Sequence, residues 1–132
     1  KAQEKGPLTT PAYLQALKKD HELSRKHGID AVMAKYKLDA LVAPTAPPAW
    51  PIDLVNGDPS GAAAFTGPAA VAGYPHITVP AGQVFGLPVG ISFVGKAYSE
   101  PVLIRLAFAY EQATKFRKPP RFLPSVDLHD QI

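Results

Sequence analysis

The chain lacks several residue types, and each absence excludes a class of protein. Its 132 residues include no Cys, one Met and one Trp. Without cysteine, neither a disulfide scaffold nor a thiolate metal site can form, while the compartment stays open, with the cytoplasm slightly favoured. No apolar run approaches the roughly 20 residues that a membrane span requires. We therefore expect no membrane partner.

Basic residues are missing from the middle of the chain. No Lys or Arg occurs between Lys37 and Lys96, and the net charge is only +3. Nucleic-acid recognition favours a basic stripe interleaved with aromatic residues, and this chain has none. With 46% hydrophobic and 19% charged residues, the composition is typical of a globular domain.

The histidines do not have the spacing of a metal site. His21 and His27 are six residues apart, so they do not share one helix face as i,i+4 ligands do. His76 lies in a strand-like run beside Thr78, which predicts a hydrogen-bonded structural histidine. We predict no metal site and no cofactor.

Two apparent catalytic motifs fail on inspection. Gly90 to Lys96 has the spacing of a phosphate-binding loop, but Ala97 stands where a magnesium-binding hydroxyl is needed, and residues 91–94 alternate like a strand. Ser92 lacks the G-x-S-x-G spacing of a nucleophile elbow, because the second glycine comes one residue late. Neither motif predicts catalysis.

The first half of the chain reads as two helices and a strand. Thr10 is expected to cap a helix that Gly28 ends in a left-handed turn, and Asp30 to cap a second, short helix. The apolar run at 38–44 predicts a buried strand. A long loop follows up to Pro68, with a turn at 56–58.

The second half reads as a partly helical segment, a hairpin and a helix. The small residues of 61–73 favour some helix, and the runs at 76–80 and 88–94 predict two strands joined by the Gly-rich residues 81–86. Ser99 is expected to cap the last helix. The chain is therefore expected to contain both helices and strands.

Three segments together resemble the C-terminal part of amidase-signature enzymes. They are LDALVAPTAPPAW, VAGYPHITVPAG and GLPVGISFVGKAYSEPVLIRLAFAYEQAT. That family includes aliphatic and peptide amidases, fatty acid amide hydrolases and the amidase subunit of the glutamyl-tRNA amidotransferase. The resemblance runs from about Tyr13 to Pro120, and the PAWPIDLVNGD loop is most similar to the peptide amidases.

The resemblance implies an α/β fold in which a few mixed β-strands are flanked by helices. It also implies that residues 1–132 are the C-terminal segment of one larger amidase domain. In that family a lysine acts through a bridging serine to deprotonate a second serine, which attacks the amide carbonyl and releases ammonia or an amine. All three catalytic residues belong to the upstream part of the family's chain and have no match here. We therefore assign no catalytic residue and expect two partners: the upstream part of the enzyme and a small amide.

The resemblance also implies a substrate pocket just before the Ala72–Pro75 turn. The matching positions are Ser60, Ala63, Phe65, Thr66 and Gly67. Glutamine-using relatives have an acidic residue where Ala63 stands, so an apolar or peptide-like amide is favoured. The alternative is that these small residues only permit close packing against an upstream helix.

Other functions are open alternatives at this point. The chain could be a fragment of an amidotransferase amidase subunit, or a non-catalytic interaction module, although a small sheet with exposed edges disfavours the latter. An enzyme that uses His76 or Ser92 itself has the weakest support, since no base accompanies either residue in the sequence.

Overall fold

The N-terminal helices form one continuous but kinked unit. The computed structural model describes residues 4, 6–58, 64–120 and 122, and helix α1 spans Pro11–His21. The predicted cap is confirmed, because Thr10 Oγ1 accepts a 3.4 Å hydrogen bond from the Tyr13 N–H. A π-helical segment, Glu22–Ile29, continues into helix α2, Asp30–Tyr36.

Two predictions about this junction are wrong. Gly28 is not in a left-handed turn: its φ of −113° and ψ of −109° are non-helical, and the chain kinks there between two helical segments. A Cβ at Gly28 would lie 2.8 Å from the Leu23 carbonyl oxygen, so the close backbone approach explains the glycine. Asp30 is already helical and does not cap α2, because its carboxylate is used in a distant contact described below.

The sheet is antiparallel in the part of the chain that the structure describes. Strands β1 (Leu41–Pro44), β2 (His76–Val84) and β3 (Leu87–Val94) lie in the order β1-β3-β2. The predicted hairpin is confirmed by the β2–β3 pairing, in which Val84 lies opposite Leu87. The turn is shorter than expected, because residues 81–84 belong to β2.

The hairpin turn consists of two residues with positive φ. Phe85 has φ 51° and Gly86 has φ 69°, the combination of a type I′ turn, whose twist matches that of the strands. The register shifts between Pro80 and Gly82, which leaves Ala81 as the extra residue of a β-bulge. Pro80 is tolerated because β2 is an edge strand.

Helices cover both faces of the sheet, because neighbouring side chains on β3 point to opposite sides. Val94 packs against Ile29 and Met33 of the N-terminal helices and against Ala69 and Ala72 of helix α3, Gly67–Ala72. On the other face, the core consists of a strand residue and two residues of helix α4 (Glu100–Thr114), with several half-buried strand residues around it: Phe93, Leu103, Ala107, Ile77, Val79 and Ile91. The α/β class with flanking helices is thereby confirmed.

Strand β1 departs from its predicted burial. The run at 38–44 indicates a buried strand, but β1 is an edge strand and Val42 is 53% exposed.

Ser99 does precede α4 as predicted, yet its hydroxyl donates to the Lys96 carbonyl at 2.7 Å and leaves the helix without a side-chain cap. Pro68 lies in the first turn of α3, where its missing N–H costs nothing.

Candidate functional site

The loop after β1 is organised by two aspartates. Asp53 Oδ1 accepts hydrogen bonds from the N–H groups of Val55 and Asn56, both at 2.9 Å, and Gly57 follows with φ +76°. The loop does turn here, slightly before the predicted 56–58: residues 54–56 form the turn, and the Gly57 N–H donates to the Asp53 carbonyl at 3.0 Å. These donors, led by the Asn56 backbone N–H, lower the pKa of Asp53 below its ordinary value. Trp50 Nε1 donates to Asp58 Oδ1 at 3.0 Å and closes the loop on itself.

The structure describes three of the five predicted pocket residues. Ser60 and Ala63 lie outside the described residues. Phe65 is half-buried and packs against the cluster of helix residues around Val94. Thr66 precedes α3 and its carbonyl accepts from the Ala70 N–H at 3.1 Å, while Gly67 begins that helix.

Gly67 borders an apolar cleft of about 480 Å³ between the N-terminal helices, β1 and α3. Thr66 and Phe65 are not among the residues that line it. The lining side chains are mainly aliphatic, with one carboxylate and one hydroxyl: Asp20, Leu23, Ser24, Ile29, Val32, Leu41, Pro68 and Val71. A cleft of this size and character can hold an apolar group of a ligand or of a packing partner.

Three hydroxyl groups lie close together next to the predicted pocket segment. Thr45 Oγ1 and Ser92 Oγ are 2.7 Å apart, Thr78 Oγ1 and Ser92 Oγ are 3.1 Å apart, and Thr45 Oγ1 lies 3.4 Å from Thr78 Oγ1. We call these three residues the hydroxyl cluster. Ser92 is completely buried. The Phe65 N–H donates to the Thr45 carbonyl at 2.9 Å and so joins the pocket segment to the cluster.

Sequence reasoning missed the hydroxyl cluster as a site. The alternation of the two β-strands puts Thr78 and Ser92 on one face of the hairpin, and their cross-strand pairing could have been read from the register. Thr45 could not have been added, because it follows an edge strand whose position in the sheet is not encoded locally.

The turn after α3 is anchored by a cation, an aromatic ring and a carboxylate. Arg25 Nε donates to the Ala72 carbonyl at 2.6 Å, and its guanidinium carbon lies 5.4 Å from the centre of the Tyr74 ring. The Tyr74 hydroxyl donates to Asp30 Oδ2 at 2.8 Å. Desolvation raises the pKa of Tyr74, and the hydrogen bond to Asp30 and the charge of that carboxylate add to the rise.

His76 is not the hydrogen-bonded histidine that the sequence predicts. Its Nε2 is buried and has no hydrogen-bond partner among the described residues. The neighbouring hydroxyl of Thr78 is engaged with Ser92 and Thr45, and the cross-strand partner of His76 is the apolar Val94.

The structure also bears on the rejected motifs. Residues 91–94 are strand, which is incompatible with an open phosphate-binding loop. Ser92 is bonded to two threonine hydroxyls, neither of which is a base that could activate it.

Within the described ranges, no three His, Asp or Glu side chains lie close enough to hold a metal ion. No helix of the described part is long and apolar enough to cross a membrane.

A small antiparallel sheet with helices on both faces and a Gly- and Pro-punctuated hairpin together define the class, an α/β fold. Residues 2–104 match the Amidase family, and the chain belongs to that family. The resemblance stated from the sequence is thereby confirmed.

Solved and curated relatives agree with this membership. The native peptide amidase of Stenotrophomonas maltophilia superposes with a TM-score of 0.77 at 50% identity, over 89% of this chain and 23% of that chain. A probable amidase of Arabidopsis thaliana is 45% identical over 82% of this chain and 18% of its own length. One of the subunits of the glutamyl-tRNA(Gln) amidotransferase of Exiguobacterium sibiricum is 45% identical over 67% of this chain and 19% of its own length.

The extent of these matches is as informative as their identity. This chain spans about a fifth of the curated relatives it matches, 18% of one and 19% of another. The match to the peptide amidase fold therefore concerns one portion of a larger structure.

Proposed function

We propose that residues 1–132 form the C-terminal segment of a single larger amidase domain that hydrolyses carboxylic amides to an acid plus ammonia or an amine. The chain supplies core and one wall of the substrate pocket, whereas the serine nucleophile, the bridging serine and the lysine belong to the complementary part. The observation that supports this most directly is the 50% identity to the peptide amidase over 89% of the chain.

The exposed apolar surface supports a complementary part that packs on this chain. Ile104 and Phe108, one helical turn apart on α4, are 58% and 61% exposed, and Val42 on the edge strand is 53% exposed. Side chains of this size at this exposure are typical of a surface that another part of the structure covers. Among the described residues no strand pairs with the outer edge of β1, which adds backbone groups that a further strand can pair with.

The chemistry assigns the pocket wall a binding role. After serine attack, the tetrahedral intermediate collapses, the leaving nitrogen takes a proton, and water then releases the acyl group. A wall formed by Ser60, Ala63, Phe65, Thr66 and Gly67 would contact the parts of the substrate that do not react and hold its carbonyl in place. Gly67, which borders the apolar cleft, has no side chain and would leave room for the substrate.

The test is reconstitution of an enzyme from two chains. The 132-residue chain is co-expressed with the part of the Stenotrophomonas maltophilia peptide amidase that it does not match, and ammonia release from a dipeptide amide is measured. We expect activity and co-purification only when both chains are present. Each chain alone is the control, and native mass gives the composition of the complex.

Two results would contradict the proposal. Amide hydrolysis by the 132-residue chain alone would show that the chemistry lies in this chain, and Ser92→Ala would then be the first variant to assay. A stable complex without activity, although the complementary chain is active with its own C-terminal part, would show that this chain does not complete the pocket.

A second candidate is the amidase subunit of a glutamyl-tRNA amidotransferase, favoured by the 45% identity to the amidotransferase protein of Exiguobacterium sibiricum. The resemblance argues against it at one position, because glutamine-using relatives have an acid where this chain has Ala63. Measuring ammonia release from glutamine and from a dipeptide amide by the same complex separates the two, and we expect the peptide amide to be preferred. If an Ala63→Asp variant gains glutamine hydrolysis, the residue at position 63 determines this substrate preference.

A further inference from the structure

Thr45 is the residue at which the sheet, the long loop and the pocket segment meet. Its N–H donates to the Gly90 carbonyl at 2.8 Å, and its carbonyl accepts from the Phe65 N–H at 2.9 Å. Its hydroxyl bonds to Ser92 Oγ at 2.7 Å. One residue thus binds β3 twice and the pocket segment once.

The hydroxyl of Thr45, the residue that follows edge strand β1, is tightly constrained by its neighbours. Ser92 is completely buried, so its hydroxyl needs partners inside the protein. Gly90 leaves the space for them, since a Cβ there would lie 2.6 Å from Thr78 Cγ2 and 2.9 Å from Thr45 Oγ1. The contacts of the Thr45 hydroxyl with the sheet therefore fix the rotamer of Thr45. The same contacts fix the direction of its carbonyl group.

We propose that Thr45 is a positioning residue for the substrate pocket: its hydroxyl, held by Ser92 and Thr78, fixes the carbonyl that receives the Phe65 N–H and so keeps residues 65–67 in place. The effect on substrate rests on the proposed amidase function, whereas the effect on the position of Phe65 does not. Thr45 itself acts through Phe65 and takes no part in bond making or breaking.

The proposal has a kinetic signature. A pocket wall that loosens binds the substrate and the transition state less well by the same factor, which raises KM and leaves kcat unchanged. Loss of one hydrogen bond to a buried partner corresponds to a factor of about five to ten. A residue that only stabilised the fold would lower the amount of active enzyme and leave KM unchanged.

The first experiment measures amide hydrogen exchange at Phe65 in the 132-residue chain. Thr45→Val keeps the shape and removes the hydroxyl, and we expect the Phe65 N–H to exchange about five- to tenfold faster. Thr45→Ser, which keeps the hydroxyl, should restore protection. The matched control is Thr114→Val, which removes a hydroxyl bonded to the Tyr110 carbonyl at 2.9 Å at the end of α4 and should leave Phe65 unchanged.

The second experiment repeats the Thr45 variants in the two-chain amidase. We expect Thr45→Val to raise KM for a dipeptide amide by about five- to tenfold at constant kcat, and Thr45→Ser to restore it. If the wild-type complex hydrolyses no amide, the proposed function fails, while the exchange result at Phe65 still decides the positioning role.

Two outcomes overturn the proposal. Unchanged exchange at Phe65 in Thr45→Val means that the hydroxyl does not position the segment, and a fall in kcat at constant KM means that the residue acts elsewhere. If Thr45→Val unfolds the chain, Thr78→Val carries the test, because it removes the more distant partner of Ser92 Oγ, at 3.1 Å. A selective loss of protection at Phe65 is then required of that variant.

Discussion

The Tyr74 hydroxyl donates a 2.8 Å hydrogen bond to Oδ2 of Asp30, across a separation of 44 residues in the chain. This bond joins the turn after α3 to the first turn of α2, and the guanidinium of Arg25 lies against the Tyr74 ring on the same side of the sheet. It is one of the few polar contacts that tie the N-terminal helices to the rest of the described fold.

Replacing Tyr74 by Phe removes this bond and keeps the ring. We expect the free energy of unfolding to fall by about 1 kcal/mol, because Asp30 is half-buried and loses a donor. Urea denaturation followed by circular dichroism measures the change. Tyr98→Phe is the control, since Tyr98 is 92% exposed, and an equal loss there would show that the Tyr74 bond contributes nothing specific.

Alkaline pH should remove the same stabilisation. The pKa of Tyr74 is raised above its ordinary value of 10.0, so the folded state holds this proton more tightly than the unfolded chain. The contribution is complete below the unfolded pKa and is lost as the pH rises through the folded pKa. We therefore expect the stability difference between wild type and Tyr74→Phe to shrink above about pH 10.

Tyrosinate absorbance in the near ultraviolet checks this order of ionisation. Tyr74 should ionise above its ordinary pKa of 10.0, and this late component should be missing in Tyr74→Phe. A titration curve that loses an early component in that variant would contradict the raised pKa.

Gly90→Ala should destabilise the sheet. The new Cβ would lie 2.6 Å from Thr78 Cγ2, and a β-branched side chain packed in the hydroxyl cluster cannot move away without losing its bonds. Overpacking of this kind costs about 1–3 kcal/mol in the free energy of unfolding. Gly67→Ala is the matched control, because no atom lies within 4 Å of a Cβ there. Equal losses for both variants would contradict the packing described for Gly90.

Truncation of two neighbouring aliphatic residues of α4 should lower the free energy of unfolding by very different amounts. Leu103 is 1% exposed and Ile104 is 58% exposed. Truncation of a buried leucine to alanine costs about 2–5 kcal/mol, and truncation at an exposed site costs within about 0.5 kcal/mol. Thermal or urea denaturation of Leu103→Ala and Ile104→Ala in the 132-residue chain measures the difference. A comparable cost for both would mean that α4 packs through another face.

Ile104→Ala should matter more in the two-chain complex than in the isolated chain. In the complex, we expect Ile104→Ala to weaken association with the complementary part, because Ile104 and Phe108 form the exposed apolar stripe of α4. Titration calorimetry of the two chains measures this. An affinity equal to that of the wild type would place the interface elsewhere.

Local signals in the sequence predicted local structure well. The Thr10 cap, the turn beside Asn56 and the β2–β3 hairpin each depend on residues a few positions apart, whose hydrogen bonds form wherever the segment lies. The resemblance added the family, and with it the pocket segment 60–67. The role of that segment in substrate binding stays a prediction.

The predictions that failed concern partners from distant parts of the chain. Asp30 accepts a hydrogen bond from Tyr74, 44 residues away, in place of capping α2. His76 has no partner among the described residues because the nearby hydroxyls bond to one another. Periodicity and residue type carry no information on which of several polar atoms a side chain will meet.

What the sequence by itself determined is the order of the helices and strands, which follows from short-range patterns of apolar, capping and turn residues, and the family, which follows from the resemblance. Only the tertiary structure decided that Thr45, Thr78 and Ser92 share one set of hydrogen bonds across 33 and 47 residues of chain. A hydroxyl is equally satisfied by water, backbone or another side chain, so its partner is chosen by how the strands pack and not by its neighbours in sequence.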